Sequence, residues 1–301
     1  MAKKSTLAWI QGITCNGNSH SFLNYPYLEH FFEEYEILYH PIFLASLNFL
    51  DLLDSDIKID VLVIEGALTH KKSSLSRHNK GLDEILDKLL PRVKHIVCVG
   101  SCASYGGVFK AYDPQSITGA IFDGEKRGGF WKYTFKSNSD AKVINIPGCP
   151  AHPAWIVQTL LDLRVNPKPK LDSLHRPKEH YAYLAHHGCT RNEYFEWKVD
   201  CSGFGQKEGC LFYEQGCQGP MSHASCNRIL WNETSSKTRI GSPCLGCTEP
   251  TFPKENLYHT QKFMSLPAVP VGISKRAYYT LAGVAKGFKI ERLEKRLLDE
   301  D

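Results

Sequence analysis

The 301-residue chain contains no run of about 18 apolar residues, so no segment reads as a membrane span. It has no dense Lys/Arg stripe. Its net charge of +4 and pI near 8.4 come from charges spread along the chain, which argues against a nucleic-acid partner. No G-x-G-x-x-G follows the first strand-like segment and no G-x-x-x-x-G-K-[ST] occurs, so the common phosphate cradles are excluded. No cysteine has an obvious base partner, which leaves a thiolate nucleophile without support. The opening MAKKSTLAWIQG lacks a roughly 7–15-residue apolar stretch before a small-residue cleavage site, and it lacks a twin arginine. The expected location is therefore the cytoplasm, with any membrane association made through partners.

What the chain has in quantity is cysteine, eleven in all. The cytosol keeps thiols reduced, and an odd number cannot pair completely, so metal ligation is the better reading. Seven of the eleven fall between Cys189 and Cys247. Six of these, Cys189, Cys210, Cys217, Cys226, Cys244 and Cys247, have a plausible ligand assignment, and Cys201 is a bystander.

The first half alternates strand-like and helix-like pieces. LAWI (7–10), EILYHPIF (36–43) and IDVLVIEGA (59–67) read as strands, with a helical stretch near 26–35. GLDEILDKLLPRV (81–93) has helical apolar spacing. HIVCVGSCASYGG (95–107) reads as a strand and a Gly-rich loop, and KVINIPGCPAHPAWIVQTLLDL (142–163) as strand, turn and helix with Pro153 near the helix start. This βαβ alternation predicts an open parallel sheet with helices on both faces. Cys15, Cys102 and Cys149 each lie just past a predicted strand, at the edge where α/β sheets bind ligands. Loops rich in glycine (Gly12, Gly17, Gly100, Gly106, Gly107, Gly148) let backbone approach there and offer N–H groups to an anionic sulfide cluster. Cys98, inside its strand, is core packing.

From about residue 166 the pattern changes. NPKPKLDSLHRP is a polar, Pro-rich linker, and beyond it periodic segments are few. The tail RAYYTLAGVAKGFKIERLEKRLLDED reads as ending in a charged amphipathic helix. Zinc-ribbon spacing needs two C-x-x-C pairs, and only Cys244–Cys247 provides one. Iron–sulfur clusters also take cysteine thiolates with occasional histidine. The ligands divide into a His-x-x-Cys…Cys…Cys set and a Cys…Cys-x-x-Cys set, the second suited to a three-iron cluster.

Taken together, WIQGITCNGNSHSFLN, VLVIEGAL, GSCASYGG, NIPGCPAHPAWIV, HHGCTRNEYF, GCLFYEQGCQGPMSHASCNRILWN and SPCLGCTEPTFP resemble the small, electron-transferring subunit of nickel–iron hydrogenases over essentially the full length. The resemblance implies an α/β flavodoxin-like domain over 1–168 holding a proximal cluster. It further implies a mostly irregular, partly helical iron–sulfur domain over 169–301 holding medial and distal clusters. On that resemblance the proximal cluster is on Cys15, Cys102 and Cys149, and the medial 3Fe–4S cluster on Cys226, Cys244 and Cys247. The distal cluster is on His186, Cys189, Cys210 and Cys217. Glu65 is either the family's loop glutamate near the large-subunit interface or a strand-end charge.

Two departures qualify the match. The family's first C-x-x-C is here Cys15-Asn16-Gly17-Asn18. The proximal cluster is then either 4Fe–4S, with Asn18, water or another group at the fourth iron, or 3Fe–4S on three cysteines. One thiolate fewer raises its reduction potential. Second, Cys210–Cys217 is one residue longer than in periplasmic members, and His186 and His187 are adjacent, so either is the distal histidine and that cluster is 4Fe–4S or 3Fe–4S. This pattern resembles the cytoplasmic uptake-type enzymes. They would split dihydrogen at a nickel–iron site on a large subunit and pass electrons through three clusters to a quinone, cytochrome or other redox protein. The resemblance further implies heterodimers in a higher oligomer, with residues 11–24 and 65–70 against the large subunit. The alternatives are a hydrogen-sensing or complex-I-related cluster subunit, or a zinc-stabilised binding protein without a redox role.

Overall fold

The computed structural model describes residues 3–43, 45–132, 143–201, 203–254 and 257–259, with scattered positions from 262 to 284. The charged helix expected at the end of the tail lies outside the described residues. Contacts divide the chain into two units, Met1–His180 with Pro250–Phe252, and Tyr181–Glu249 with Pro253–Asp301.

The first unit is built on a five-stranded sheet. Its strands are β1 (Ser5–Gln11), β2 (Tyr35–Tyr39), β3 (Ile59–Glu65), β4 (Val93–Val99) and β5 (Ile144–Ile146). Every neighbouring pair is parallel, in the order β2-β1-β3-β4-β5. This is the flavodoxin-like order, and strand order reverses between β1 and β3. The central strands are near-continuous apolar runs because both faces are covered. On one face Ala8, Ile10, Leu62, Ile64, Ile96 and Cys98 join a core with α3 (Phe49–Asp54) and α4 (Leu82–Leu89). The alternate residues take the other face, where Trp9 meets Phe22 of α1 (Gly17–Leu23) at 5.5 Å between rings. There too the Tyr35 hydroxyl donates to the Leu160 carbonyl of α7 (Pro153–Val165), while α2 (Leu28–Glu34) packs on α7.

Several details depart from the sequence reading. Strand β2 stops at Tyr39, because Pro41 has no N–H for a ladder and His40 Nδ1 accepts the Ile42 N–H at 3.1 Å, turning the chain. The Gly-rich stretch after β4 is two short helices, α5 (Ser101–Tyr105) and α6 (Gly107–Tyr112). Gly100, at φ +89°, turns β4 into α5, and Gly106, at φ +93°, bends α5 into α6. The unit boundary falls at His180, beyond residue 168. The intervening segment returns to β5, where Asn145 donates its N–H to the His175 carbonyl at 2.8 Å and its Nδ2 to the Leu174 carbonyl at 2.9 Å.

The second unit has little regular structure among its described residues. It has a helix at Asn192–Trp197, single 3-10 turns at Ala185–Gly188 and Gly219–Met221, and a two-residue strand pair. No helix among the described residues is long and apolar enough to cross a membrane.

Candidate functional site

In the first unit the sheet register levels the strand ends. Gln11 pairs with Glu65, Glu65 with Val99, and Val99 with Ile146. The segments that follow therefore start from one edge, and they carry Cys15, Cys102 (in the first turn of α5) and Cys149. A Cβ on Gly17 would stand 3.3 Å from Cys15 Sγ and 3.6 Å from Pro150 Cβ, so the Cys15 and Cys149 loops touch. Gly107, at φ +51°, has space only for hydrogen: a Cβ there would come within 2.9 Å of Cys102 Sγ. That close approach lets the N–H groups of Val108 and Phe109 point at the Cys102 sulfur. Burial pushes the Cys102 thiol above its ordinary value, those two N–H groups pull it back, and the charges of Cys15 and Glu65 add to the rise. Cys15 and Cys149 are exposed. Soft sulfur donors at one edge, with backbone N–H groups aimed at sulfur, are the donor set an iron–sulfur cluster takes.

Glu65 is fully buried at the end of β3. Its Oε1 accepts from Thr14 Oγ1 at 3.2 Å and from the N–H groups of Asn18 and Ser19 at 3.0 and 3.2 Å. Its Oε2 accepts from Trp9 Nε1 at 3.0 Å and Ser19 Oγ at 2.5 Å. Five donors on one carboxylate compensate the desolvation that a lone buried charge would suffer. Glu65 is thus more than a strand-end charge: it fixes the start of α1 and the loop that holds Cys15. Asn18 is also buried, and its Oδ1 accepts from the Ala151 N–H at 2.8 Å.

The second unit gathers the remaining candidates. His186, Cys189, Cys210 and Cys217 line one enclosed cavity, with Arg191, Phe212 and Pro220 among the other walls. His187 does not line it and is exposed. Burial, with the neighbouring His187, lowers His186 to about 4, so its imidazole is neutral at physiological pH, the form in which histidine ligates metal. Burial pushes the Cys210 and Cys217 thiols up to about 12, and the neighbouring thiols push the same way. Cys226 and Cys244 are raised too, first by burial, then by neighbouring thiols: Cys244 and Cys247 act on Cys226, and Cys217 of the other set and Cys247 act on Cys244. Mutually repelling buried thiols ionise readily only beside a strong positive charge, and iron supplies one. The two sets adjoin, since the Cys244 N–H donates to Cys217 Sγ at 3.3 Å.

Among the described residues, no three His, Cys, Asp or Glu side chains converge as a mononuclear ion needs. A cluster's ligands stand farther apart, because several irons and sulfides lie between them. Cys201 is fully buried, and its thiol donates to the Gly203 carbonyl at 3.0 Å; it does not line the cavity.

Arg191 escaped the sequence reading. It is 3% exposed, and its guanidinium donates to the carbonyls of Thr238 at 2.7 Å, Glu208 at 3.0 Å and Gly209 at 2.8 Å, and to that of Gln206. Its backbone N–H donates to Cys189 Sγ at 3.4 Å. It thereby ties the loop before Cys210 to the segment after Cys226. Only its place two residues from a ligand cysteine could have marked it.

The family model for the C-terminal part of NiFe/NiFeSe hydrogenase small subunits matches residues 181–259, which hold the whole second-unit ligand set. The model for the NADH ubiquinone oxidoreductase 20 Kd subunit matches residues 15–163. The second unit therefore matches the nickel–iron hydrogenase small-subunit family. The periplasmic NiFe hydrogenase small subunit of Solidesulfovibrio fructosivorans is 35% identical over 173 residues, covering 56% of this chain and 50% of that protein. The periplasmic NiFeSe hydrogenase small subunit of Desulfomicrobium baculatum is 29% identical over 283 residues, covering 84% of this chain and 85% of that protein. The solved structure of the reduced, active NiFeSe hydrogenase of the same organism aligns with a TM-score of 0.73 at 27% identity, over 86% of this chain and all of the matched one. The chain thus spans half the length of the first of these relatives and most of the second.

Proposed function

We propose that this chain is the electron-transfer small subunit of a nickel–iron uptake hydrogenase, working beside a large subunit that holds the nickel–iron site. The observation that carries the reading is the cavity lined jointly by His186, Cys189, Cys210 and Cys217, standing beside Cys226, Cys244 and Cys247 in a unit with little secondary structure. A domain so poor in regular elements gains stability from metal held by its side chains.

Cys15, Cys102 and Cys149 hold the proximal group, a 4Fe–4S or 3Fe–4S cluster. Cys226, Cys244 and Cys247 hold a medial 3Fe–4S cluster, and the cavity ligands hold a distal 4Fe–4S or 3Fe–4S cluster. When bound, these clusters supply one-electron carriage at potentials set by ligand charge, hydrogen bonds to sulfur and burial. The protein residues hold and tune. Val108 and Phe109 direct N–H groups at Cys102, Arg191 at Cys189, and Gly246 at Cys244. Exposed Cys15 and Cys149 mark the face we assign to the large subunit, with residues 11–24 and 65–70 around them. An acceptor of quinone, cytochrome or other redox-protein type completes the path, in a higher oligomer of heterodimers. We place the complex in the cytoplasm, where its eleven cysteines escape disulfide pairing and stay available to iron.

Anaerobic co-purification with the large subunit tests the reading. Brown protein with about ten to twelve irons and as many sulfides per small subunit, and hydrogen-dependent dye reduction, is the expected result. Colourless protein with stoichiometric zinc would overturn it.

A further inference from the structure

We infer that Asn18, at the position of the family's second cysteine, is not a ligand of the group held by Cys15, Cys102 and Cys149. It is the clasp that keeps their three loops together. The inference rests on the reading above that these cysteines hold a cluster.

Asn18 is 7% exposed, in the first turn of α1, three residues after Cys15. Its Oδ1 accepts the N–H of Ala151 at 2.8 Å, two residues after Cys149. Ala151 is fully buried, so that N–H has no access to water. On its other side the carboxamide lies against Gly100, two residues before Cys102. A Cβ on Gly100 would fall 2.3 Å from Asn18 Nδ2 and 2.9 Å from Cγ. The Asn18 backbone N–H is held in turn by Glu65 Oε1 at 3.0 Å. One short side chain from the Cys15 loop therefore touches the loops of both other cysteines.

The chemistry of the amide agrees. A neutral carboxamide oxygen is a poor donor to iron beside thiolate but a good acceptor for a buried peptide N–H. To ligate, Oδ1 would have to turn from Ala151 and leave that N–H unpaired, which buried backbone donors rarely are. A cysteine at this position could bind iron but could not span from Gly100 to Ala151. Replacing it by asparagine removes a ligand and adds a cross-link. Asn18 is thus a positioning residue.

The test uses the complex with its large subunit, purified anaerobically as wild type, Asn18→Ala and Asn18→Asp. The readouts are the electron paramagnetic resonance g-values of the proximal cluster and the rate of iron release to a chelator. As a clasp, Asn18→Ala keeps the wild-type g-values but releases iron about tenfold faster, the factor set by one buried hydrogen bond. Asn18→Asp, which keeps an oxygen for Ala151, restores slow release with unchanged g-values. Altered g-values in Asn18→Ala, or iron release as slow as wild type, would overturn the clasp. If Asn18→Ala does not assemble, the g-values of Asn18→Asp decide alone: unchanged supports the clasp and changed rejects it. A wild-type complex without iron and sulfide would instead sink the cluster reading itself.

Discussion

Ser19 Oγ donates a hydrogen bond to Glu65 Oε2 at 2.5 Å, and on its other side lies 3.4 Å from His40 Nε2. Since His40 Nδ1 accepts from the Ile42 N–H, the neutral ring carries its proton on Nε2 and donates to Ser19. The hydroxyl passes this polarity on to the carboxylate. The pair joins the end of β3 to the first turn of α1, and so to the loop of Cys15.

Glu65→Gln tests that link. Glutamine puts an NH2 group where the carboxylate accepts from donors, so at least one buried donor loses its partner. We expect a loss of about 2–4 kcal/mol in unfolding free energy, together with lower iron occupancy of the Cys15 site. Denaturant unfolding and iron analysis of the purified complex measure both. A change under about 0.5 kcal/mol, the size of an ordinary surface substitution, would contradict the role.

Arg191→Ala leaves the carbonyls of Gln206, Glu208, Gly209 and Thr238 without their shared donor. The expected cost exceeds about 3 kcal/mol, and the cluster on Cys189, Cys210 and Cys217 is lost first. Arg191→Lys does not rescue it, because a compact ammonium cannot serve carbonyls spread around a planar fork. Iron content and the distal paramagnetic signal report the outcome; full retention in either variant would refute this account.

Cysteine substitutions should sort by place. Cys102→Ser and Cys217→Ser each remove roughly three or four irons per chain. Cys201→Ala removes none. Cys98→Ala also leaves the iron count intact and costs only about 1–2 kcal/mol, as the loss of a small buried group does. Iron and sulfide assays settle this directly, and iron loss in Cys98→Ala would contradict a purely packing role.

The buried histidines give the fold an acid limit. Burial lowers His40 from 6.5 to about 3, and it lowers His180 to about 4, with His152 adding to the effect. As pH falls below about 6.5 the unfolded chain takes up these protons first. Stability is therefore full above 6.5 and declines toward pH 3–4, by up to about 1.4 kcal/mol per pH unit for each group. His40 faces Ser19, Trp9 and Phe43, with Glu65 behind Ser19. His40→Phe should give a shallower decline between pH 6.5 and 4.5 in denaturant titrations. An unchanged slope would show that His40 is not among the titrating groups.

Much of this was legible in the linear sequence. The β-branched runs at 59–67 and 95–99 read as covered parallel strands, and the cysteines after successive strands shared one topological position. Periodicity does not carry the rest. The Gly-rich stretch after β4 reads as a loop because its helices are one turn each, too short to show a helical repeat. The end of the flavodoxin-like unit at His180 depends on Asn145 capturing the 174–175 carbonyls, a pairing some thirty residues apart in the chain.

The sequence alone determined the kinds of donor and their order along the chain: soft thiols in two groups, one histidine step, and an asparagine where a cysteine is expected. Those are chemical identities, and folding does not change them. Only the tertiary structure decided which groups meet. It put His186, rather than adjacent His187, on the cavity with three cysteines. It buried Glu65 under five donors and Arg191 among four carbonyls, and it set the Asn18 amide between Gly100 and Ala151. The physical reason is that burying a polar group is tolerable only when its partners arrive from elsewhere in the chain, and the identities of those partners are fixed by the fold.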